Sequence, residues 1–122
     1  MRKTRADADH TAEAADPTRD APLAEYRRLV RHELPAAARE ARWPLRLDHC
    51  FARVILDALF GGCWYDHLTR GKGRSAESQL DAGQLRRAVS LARGMLAGGA
   101  NEVRRLDAQS LAWRGKPPKV RA

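Results

Sequence analysis

The sequence predicts an all-α fold, a small orthogonal bundle of four to five short helices between a disordered N-terminal arm and a basic C-terminal tail. Apolar residues recur at helical spacing in several segments, and glycines or prolines separate these segments. No run of alternating apolar and polar residues is long enough to indicate a strand. A chain of 122 residues suits one domain, and we expect the helical domain to span 21–113.

Residues 1–20 are expected to form the disordered arm, because they contain almost no large apolar residue to offset the entropy of ordering. We expect no secretory signal, because the first residues lack an apolar stretch, and the apolar runs fall far short of the roughly 20 residues that span a membrane. These features predict a cytoplasmic protein. In that compartment Cys50 and Cys63 should be free thiols.

The first helix should begin near Pro22, because proline suits the first helical turn. Pro35 lacks a backbone N–H and disfavours helix at the residue before it, so we expect an interruption there and a short helix over 36–42. The core stripe of the first helix follows helical spacing and consists of Leu23, Tyr26, Val30 and Leu34.

The clearest helix is predicted over 48–60, with Asp48 as N-cap and Gly61 after its end. Its polar face carries His49, Arg53 and Asp57. We interpret this face as solvated, with an Arg53–Asp57 ion pair four residues apart. The alternative is a site that binds an anion or positions an acid–base pair.

The rest of the chain is predicted as short turns at 63–68, an exposed loop over 69–79, and two further helices. Asp81 should cap a helix over 81–97, which Gly98 and Gly99 end. Asn101 should cap the last helix, 102–113. Residues 114–122 carry four basic side chains and no acid, so we expect a mobile basic tail.

The net charge of +8 and the pI near 10.5 suit an anionic partner, which could be nucleic acid, an acidic protein or a membrane surface. The alternative is a composition bias toward Arg and Ala without a function behind it. Our leading hypothesis is a non-enzymatic binding protein. Trp113 at the border of the tail is a candidate for stacking on a base, and the alternative is a core residue that closes the last helix. The proposed contact residues are Arg86, Arg87, Arg93, Arg104, Arg105, Arg114, Lys116, Lys119 and Arg121.

The loop Arg70-Gly71-Lys72-Gly73-Arg74-Ser75 has glycines and cations that favour a phosphate. It resembles the acetyl-CoA loop of N-acetyltransferases, Arg/Gln-x-x-Gly-x-Gly/Ala, in which Arg70 and Gly73 match and Ser75 departs from the last position. The stretches 47–53 and 113–116 also resemble short bacterial proteins related to N-acetyltransferases. The resemblance implies acetyl-CoA binding at Arg70, Gly71, Lys72 and Gly73, whereas an ordinary flexible loop is the alternative.

Four residues are of the types that bind zinc, namely His49, Cys50, Cys63 and His67, and the last two are four residues apart. The chain lacks close Cys-x-x-Cys pairs, so we favour buried thiols and surface imidazoles over a metal site. A nucleophilic Cys63 near a histidine is a further alternative. A third class of function is an accessory subunit that docks through exposed aromatic residues. The candidates are Trp43, Trp64 and Tyr65.

Overall fold

The computed structural model describes residues 16–71 and 73–116. This part of the chain contains helices and short 3-10 turns and no strand, which confirms the all-α class. Its main elements are α1 (Asp20–Arg28), α2 (Leu34–Ala41), α3 (Asp48–Phe60) and α4 (Ala82–Trp113). Because α1 runs into α2 without a break, the described residues form three continuous helical segments, fewer than predicted. The orthogonal arrangement stays a prediction.

The junction of α1 and α2 shows how the chain accommodates Pro35. A π turn, Leu29–Glu33, precedes α2, and the Leu34 N–H donates to the carbonyl of Leu29. Proline cannot donate to the preceding turn, and a π turn redistributes these bonds without ending the helix. The predicted interruption is therefore a local change of helical pattern. The helix ends at Arg42, whose backbone is left-handed at φ 58°.

Helix α3 has the predicted bounds, but its N-cap is Leu47 and not Asp48. The Asp48 carboxylate instead accepts a hydrogen bond from the backbone N–H of His49, at 2.7 Å. The helix ends at Gly61 in a left-handed conformation, as predicted. Its apolar face is buried, with Phe51, Val54 and Ile55 fully inaccessible to solvent, and therefore forms the centre of the core.

Helix α4 merges the two helices predicted over 81–97 and 102–113. Asp81 caps it as predicted, because its carboxylate accepts from the Gln84 backbone while the Gln84 side chain accepts from the Asp81 backbone. Only Gly99 departs from helical geometry, at φ 70° and ψ −152°, and it places a kink in the helix. One glycine absorbs the change of direction. Asn101 consequently lies inside the helix and is not a cap.

The core joins α4 to the other helices, and the chain before α3 contributes to it. Trp43 and Leu45 are buried there, so Trp43 is a core residue and not an exposed docking residue. Trp43 packs edge-on against Phe51, with ring centroids 6.2 Å apart. None of the helices in the described ranges is both long enough and apolar enough to cross a membrane.

Contacts between distant segments hold residues that the sequence analysis assigned to the arm and to the loop. Arg19 donates from Nε to the carbonyl of Leu80, at 2.8 Å, and from Nη2 to that of Glu77, at 3.1 Å. The Gln79 side chain bonds both the N–H and the carbonyl of Thr69. The segment 73–80 is therefore anchored although much of it is exposed. Residues 1–15 of the predicted arm lie outside the described residues.

Candidate functional site

A cleft of about 480 Å³ lies between α1, α3 and the connection from α3 to α4. This volume falls in the range that small-molecule sites occupy. Side chains from all three segments line it, with cations, hydroxyls and aromatic rings among them. The polar residues that line it include Tyr26, His49, Arg53, Tyr65, Arg74 and Ser75.

Arg53 reaches the cleft from α3 and is held in place by α4. Its Nη2 donates to Asp107 Oδ1 at 2.7 Å, and its Nη1 donates to Ser110 Oγ at 2.6 Å. The predicted pair of Arg53 with Asp57 is therefore wrong. In the described part of the chain the Nε–H of Arg53 has no partner, so it remains free to donate to a ligand.

Asp57 is fully buried, in contrast to the solvated position expected for it. Its carboxylate accepts from Ser110 Oγ at 2.6 Å, from the Trp64 N–H at 2.9 Å, and from Arg114 Nε at 2.8 Å. A buried carboxylate needs such partners, because desolvation penalises its charge. Helical spacing placed Asp57 on the polar face correctly, but it did not reveal that α4 covers that face.

The charge around the cleft is positive. Glu77 accepts from both Arg27 and Arg31 and is itself largely buried. When the ion-pair partners of the lining residues are counted with them, four guanidinium groups accompany three carboxylates, and the small positive balance favours an anionic ligand. The guanidinium groups are those of Arg27, Arg31, Arg53 and Arg74, and the carboxylates are those of Asp48, Glu77 and Asp107.

Tyr26 lines the cleft with a side chain that is 2% exposed. Within the described ranges its hydroxyl makes no hydrogen bond, although buried polar groups are almost always bonded. Burial raises the pKa of Tyr26 strongly, the charge of Glu77 raises it further, and that of Arg31 lowers it. The phenol is therefore neutral and can donate. Helical spacing predicted Tyr26 in the core stripe of the first helix and gave no indication that it is a site residue.

The glycine-containing loop contributes to the cleft through Arg74 and Ser75, which follow the four residues expected to bind acetyl-CoA. Arg70 lies over the Tyr65 ring at 3.9 Å, Gly71 and Gly73 have positive φ, and Lys72 lies outside the described residues. A 3-10 turn, Trp64–Asp66, precedes the loop where N-acetyltransferases have a strand. Acetyl-CoA binding stays a prediction.

The arginines of α4 that were predicted to bind nucleic acid differ in their surroundings. Arg93 pairs with Glu25 of α1, and Arg105 pairs with Glu102 on its own helix. Arg104 donates to the Asn101 side chain at 2.9 Å. By contrast, two arginines of α4 are exposed and make neither an ion pair nor a side-chain hydrogen bond within 16–71 and 73–116. They are Arg86 and Arg87.

The basic tail begins inside the fold, because Arg114 is 13% exposed and ion-paired with Asp57. The guanidinium of Arg114 also lies over the Tyr65 ring, 4.6 Å from the ring centroid. Lys116 is exposed, whereas Lys119 and Arg121 lie outside the described residues. Trp113 is 38% exposed, so it does not close the core as the alternative interpretation held.

The four candidate metal ligands do not come together. In the described ranges, no group of three His, Cys, Asp or Glu side chains is placed to hold a metal ion. His67 stacks on Phe60, with ring centroids 4.9 Å apart and planes 8° from parallel. Cys50 and Cys63 are half-buried free thiols. His49 is exposed at the cleft, and its Nδ1 lies 3.7 Å from Asp48 Oδ1.

Ser110 lies in line with the buried residues Val103 and Leu106 of α4, so helical spacing alone does not mark it as a polar residue of the site. Ser110 is fully buried and bridges Arg53 and Asp57. One signal was available, since a serine within an apolar stripe must find a polar partner when it is buried.

No protein-family model matches the chain, and no curated protein or solved structure is significantly similar to it.

Proposed function

We propose that this protein binds a small organic anion in the cleft. The observation that carries the proposal is the convergence of Arg53 and His49 of α3 with Arg74 of the following loop on one cavity. Guanidinium groups form strong, charge-assisted hydrogen bonds to carboxylates and phosphates. The positive balance around the cleft acts in the same direction.

The anchoring of the cleft walls supports a site that exists before the ligand arrives. Arg53 is fixed by Asp107 and Ser110, and Trp64 is fixed by its backbone bond to Asp57. Arg19 holds the segment that carries Glu77. Side chains that are already positioned lose less entropy when a ligand binds, so more of the interaction appears as affinity.

A binding screen tests this function. Inorganic phosphate, nucleoside monophosphates, coenzyme A and acetyl-CoA would be titrated into the full chain by calorimetry and thermal shift. We expect at least one to bind and Arg74→Ala to weaken it roughly 10-fold or more, the loss for one charged hydrogen bond. Arg39→Ala is the matched control, because Arg39 is exposed on α2 and outside the cleft.

Two results would contradict the function. The first is the absence of any binding or thermal shift at millimolar ligand. The second is binding that both arginine variants leave unchanged, because the anion would then lie elsewhere. A shift with acetyl-CoA that coenzyme A does not reproduce would favour the cofactor suggested by the loop Arg70–Ser75.

A second candidate function is nucleic-acid binding, and the exposed, unpaired state of Arg86 and Arg87 in the described structure favours it. Contacts of this kind release counterions, so affinity should fall steeply with salt. Fluorescence anisotropy with labelled DNA and RNA would compare the protein with an Arg86→Gln, Arg87→Gln variant. Loss of the salt dependence in that variant supports this candidate, and an unchanged slope contradicts it. Arg105→Gln is the paired-arginine control.

A further inference from the structure

The Tyr26 hydroxyl is a buried polar group that contributes no hydrogen bond to the described fold. A phenylalanine ring would provide the same packing, so the structure gives the oxygen no internal role. The residue lines the cleft, and the free hydrogen-bonding capacity is therefore at the ligand site. Such a group is satisfied only by water or by a ligand.

We propose that Tyr26 determines specificity in the cleft, by donating a hydrogen bond to an uncharged acceptor on the bound anion. The ligand class is an organic phosphate, phosphonate or carboxylate that also carries a carbonyl, amide or ring nitrogen. This inference rests on the proposed function, because it assigns a second contact within the same site.

The surroundings of Tyr26 favour an uncharged acceptor over a second anionic group. Burial keeps the phenol protonated, so it acts as a donor. The carboxylate of Glu77 is close enough to raise the pKa of Tyr26. Arg31 acts on Tyr26 in the opposite direction, but its effect on the pKa is smaller than that of Glu77. A second negative charge beside the hydroxyl would therefore be disfavoured, whereas a carbonyl oxygen would not. The charged end of the ligand is then left to Arg74 and the Nε–H of Arg53.

The hydroxyl also offers discrimination that the cations do not. A guanidinium attracts any anion of suitable size, so Arg74 alone distinguishes poorly between phosphates. A site built around a buried hydrogen-bonding group disfavours ligands without the matching atom, because that group then stays unpaired. Tyr26 would thus separate ligands that the positive charge treats alike.

The test uses two phosphonates of the same chain length, 2-oxopropylphosphonate and propylphosphonate, which differ in one carbonyl. Calorimetry on the full chain would give the ratio of their dissociation constants. We expect the ketone to bind about 10-fold more tightly, as one hydrogen bond provides. In Tyr26→Phe the ratio of the two dissociation constants should fall to about one, because neither ligand then meets the hydroxyl. A ratio that is the same in both proteins, or near one in the natural protein, overturns the inference.

The two proposals fail in distinguishable ways. If both phosphonates bind equally and Arg74→Ala weakens both, the anion site stands and the role of Tyr26 is wrong. If neither phosphonate binds and no anion of the binding screen binds either, the proposed function fails and the inference fails with it. The thermal midpoint of Tyr26→Phe is the fold control. It should equal or exceed that of the natural protein, because the hydroxyl has no partner to lose among the residues that the structure describes.

Discussion

Arg114 holds Asp57 with two N–H groups, Nε to Oδ2 at 2.8 Å and Nη2 to Oδ1 at 3.1 Å. The Asp57 side chain is fully buried, and the Arg114 side chain is 13% exposed. The hydrogen bond with Asp57 raises the pKa of Arg114, so the cation persists at every accessible pH. The pair joins the end of α3 to the end of α4, and through Ser110 it reaches Arg53 at the cleft.

Removal of one partner of this pair should destabilise the protein strongly. In Arg114→Met the Asp57 carboxylate stays buried without its cation, and we expect the free energy of unfolding to fall by about 3 kcal/mol or more. Urea unfolding followed by circular dichroism measures it. Arg105→Met is the control, because its pair with Glu102 is exposed and should contribute less than about 1 kcal/mol. Equal losses in the two variants would contradict a structural role for the Asp57–Arg114 pair.

Two glycines of α4 should respond to alanine in opposite directions. Gly94 lies within regular helix with open space at its Cβ position, so Gly94→Ala should stabilise by about 0.5–1 kcal/mol. Gly99 has equal space but adopts φ 70°, which a side chain disfavours, so Gly99→Ala should destabilise by about 1–3 kcal/mol. Thermal unfolding of both variants checks the signs. A stabilising Gly99→Ala would mean that the kink is not required.

Arg42, at the end of α2, has a backbone conformation that should lower the free energy of unfolding. Among the described residues, Arg42 is the single non-glycine residue with positive φ. The left-handed conformation costs an L-residue roughly 1–2 kcal/mol. Arg42→Gly should therefore raise the free energy of unfolding by about 1 kcal/mol. Arg39→Gly, inside the helix, should lower it by a similar amount. If both variants lose stability, the Arg42 side chain stabilises the fold by more than its backbone strain.

Tyr26 predicts a specific loss of stability in alkaline solution. Its pKa is 10.0 when exposed and is raised in the folded protein, mainly by burial. Above pH 10 the unfolded chain loses this proton while the native protein keeps it. Stability that is complete below pH 10 should then fall with a slope of up to about 1.4 kcal/mol per pH unit. Urea unfolding between pH 9 and 11.5 should show a steeper decline in the natural protein than in Tyr26→Phe. Parallel curves would be inconsistent with a buried Tyr26.

The local elements were predictable where a single segment contains its own signals. The bounds of α3 follow from apolar spacing and Gly61, and the start of α4 follows from the Asp81–Gln84 capping box. At Pro35 and Gly99 the breaks were placed correctly but overestimated, because a π turn and a single kinked glycine let the helix continue.

The candidate site was predictable only in part. Anion binding was one of the interpretations left open for both the glycine-containing loop and the His49–Arg53 face, and residues of both line the cleft. Their proximity was not predictable, since periodicity identifies the face of a helix without the segment that covers it. The same limit applies to Asp57, whose partner Arg114 lies 57 residues away and was assigned to a mobile tail.

That separation has a consequence for synthesis on the ribosome. Asp57 leaves the exit tunnel 57 residues before the guanidinium that neutralises it. A nascent chain that has reached residue 100 can already bring α1 and α3 together, yet it cannot bury that carboxylate with its counter-ion. The finished core therefore depends on a residue translated after the whole of α4. A chain that terminates within α4 lacks this counter-ion and should remain a substrate for chaperones and proteases.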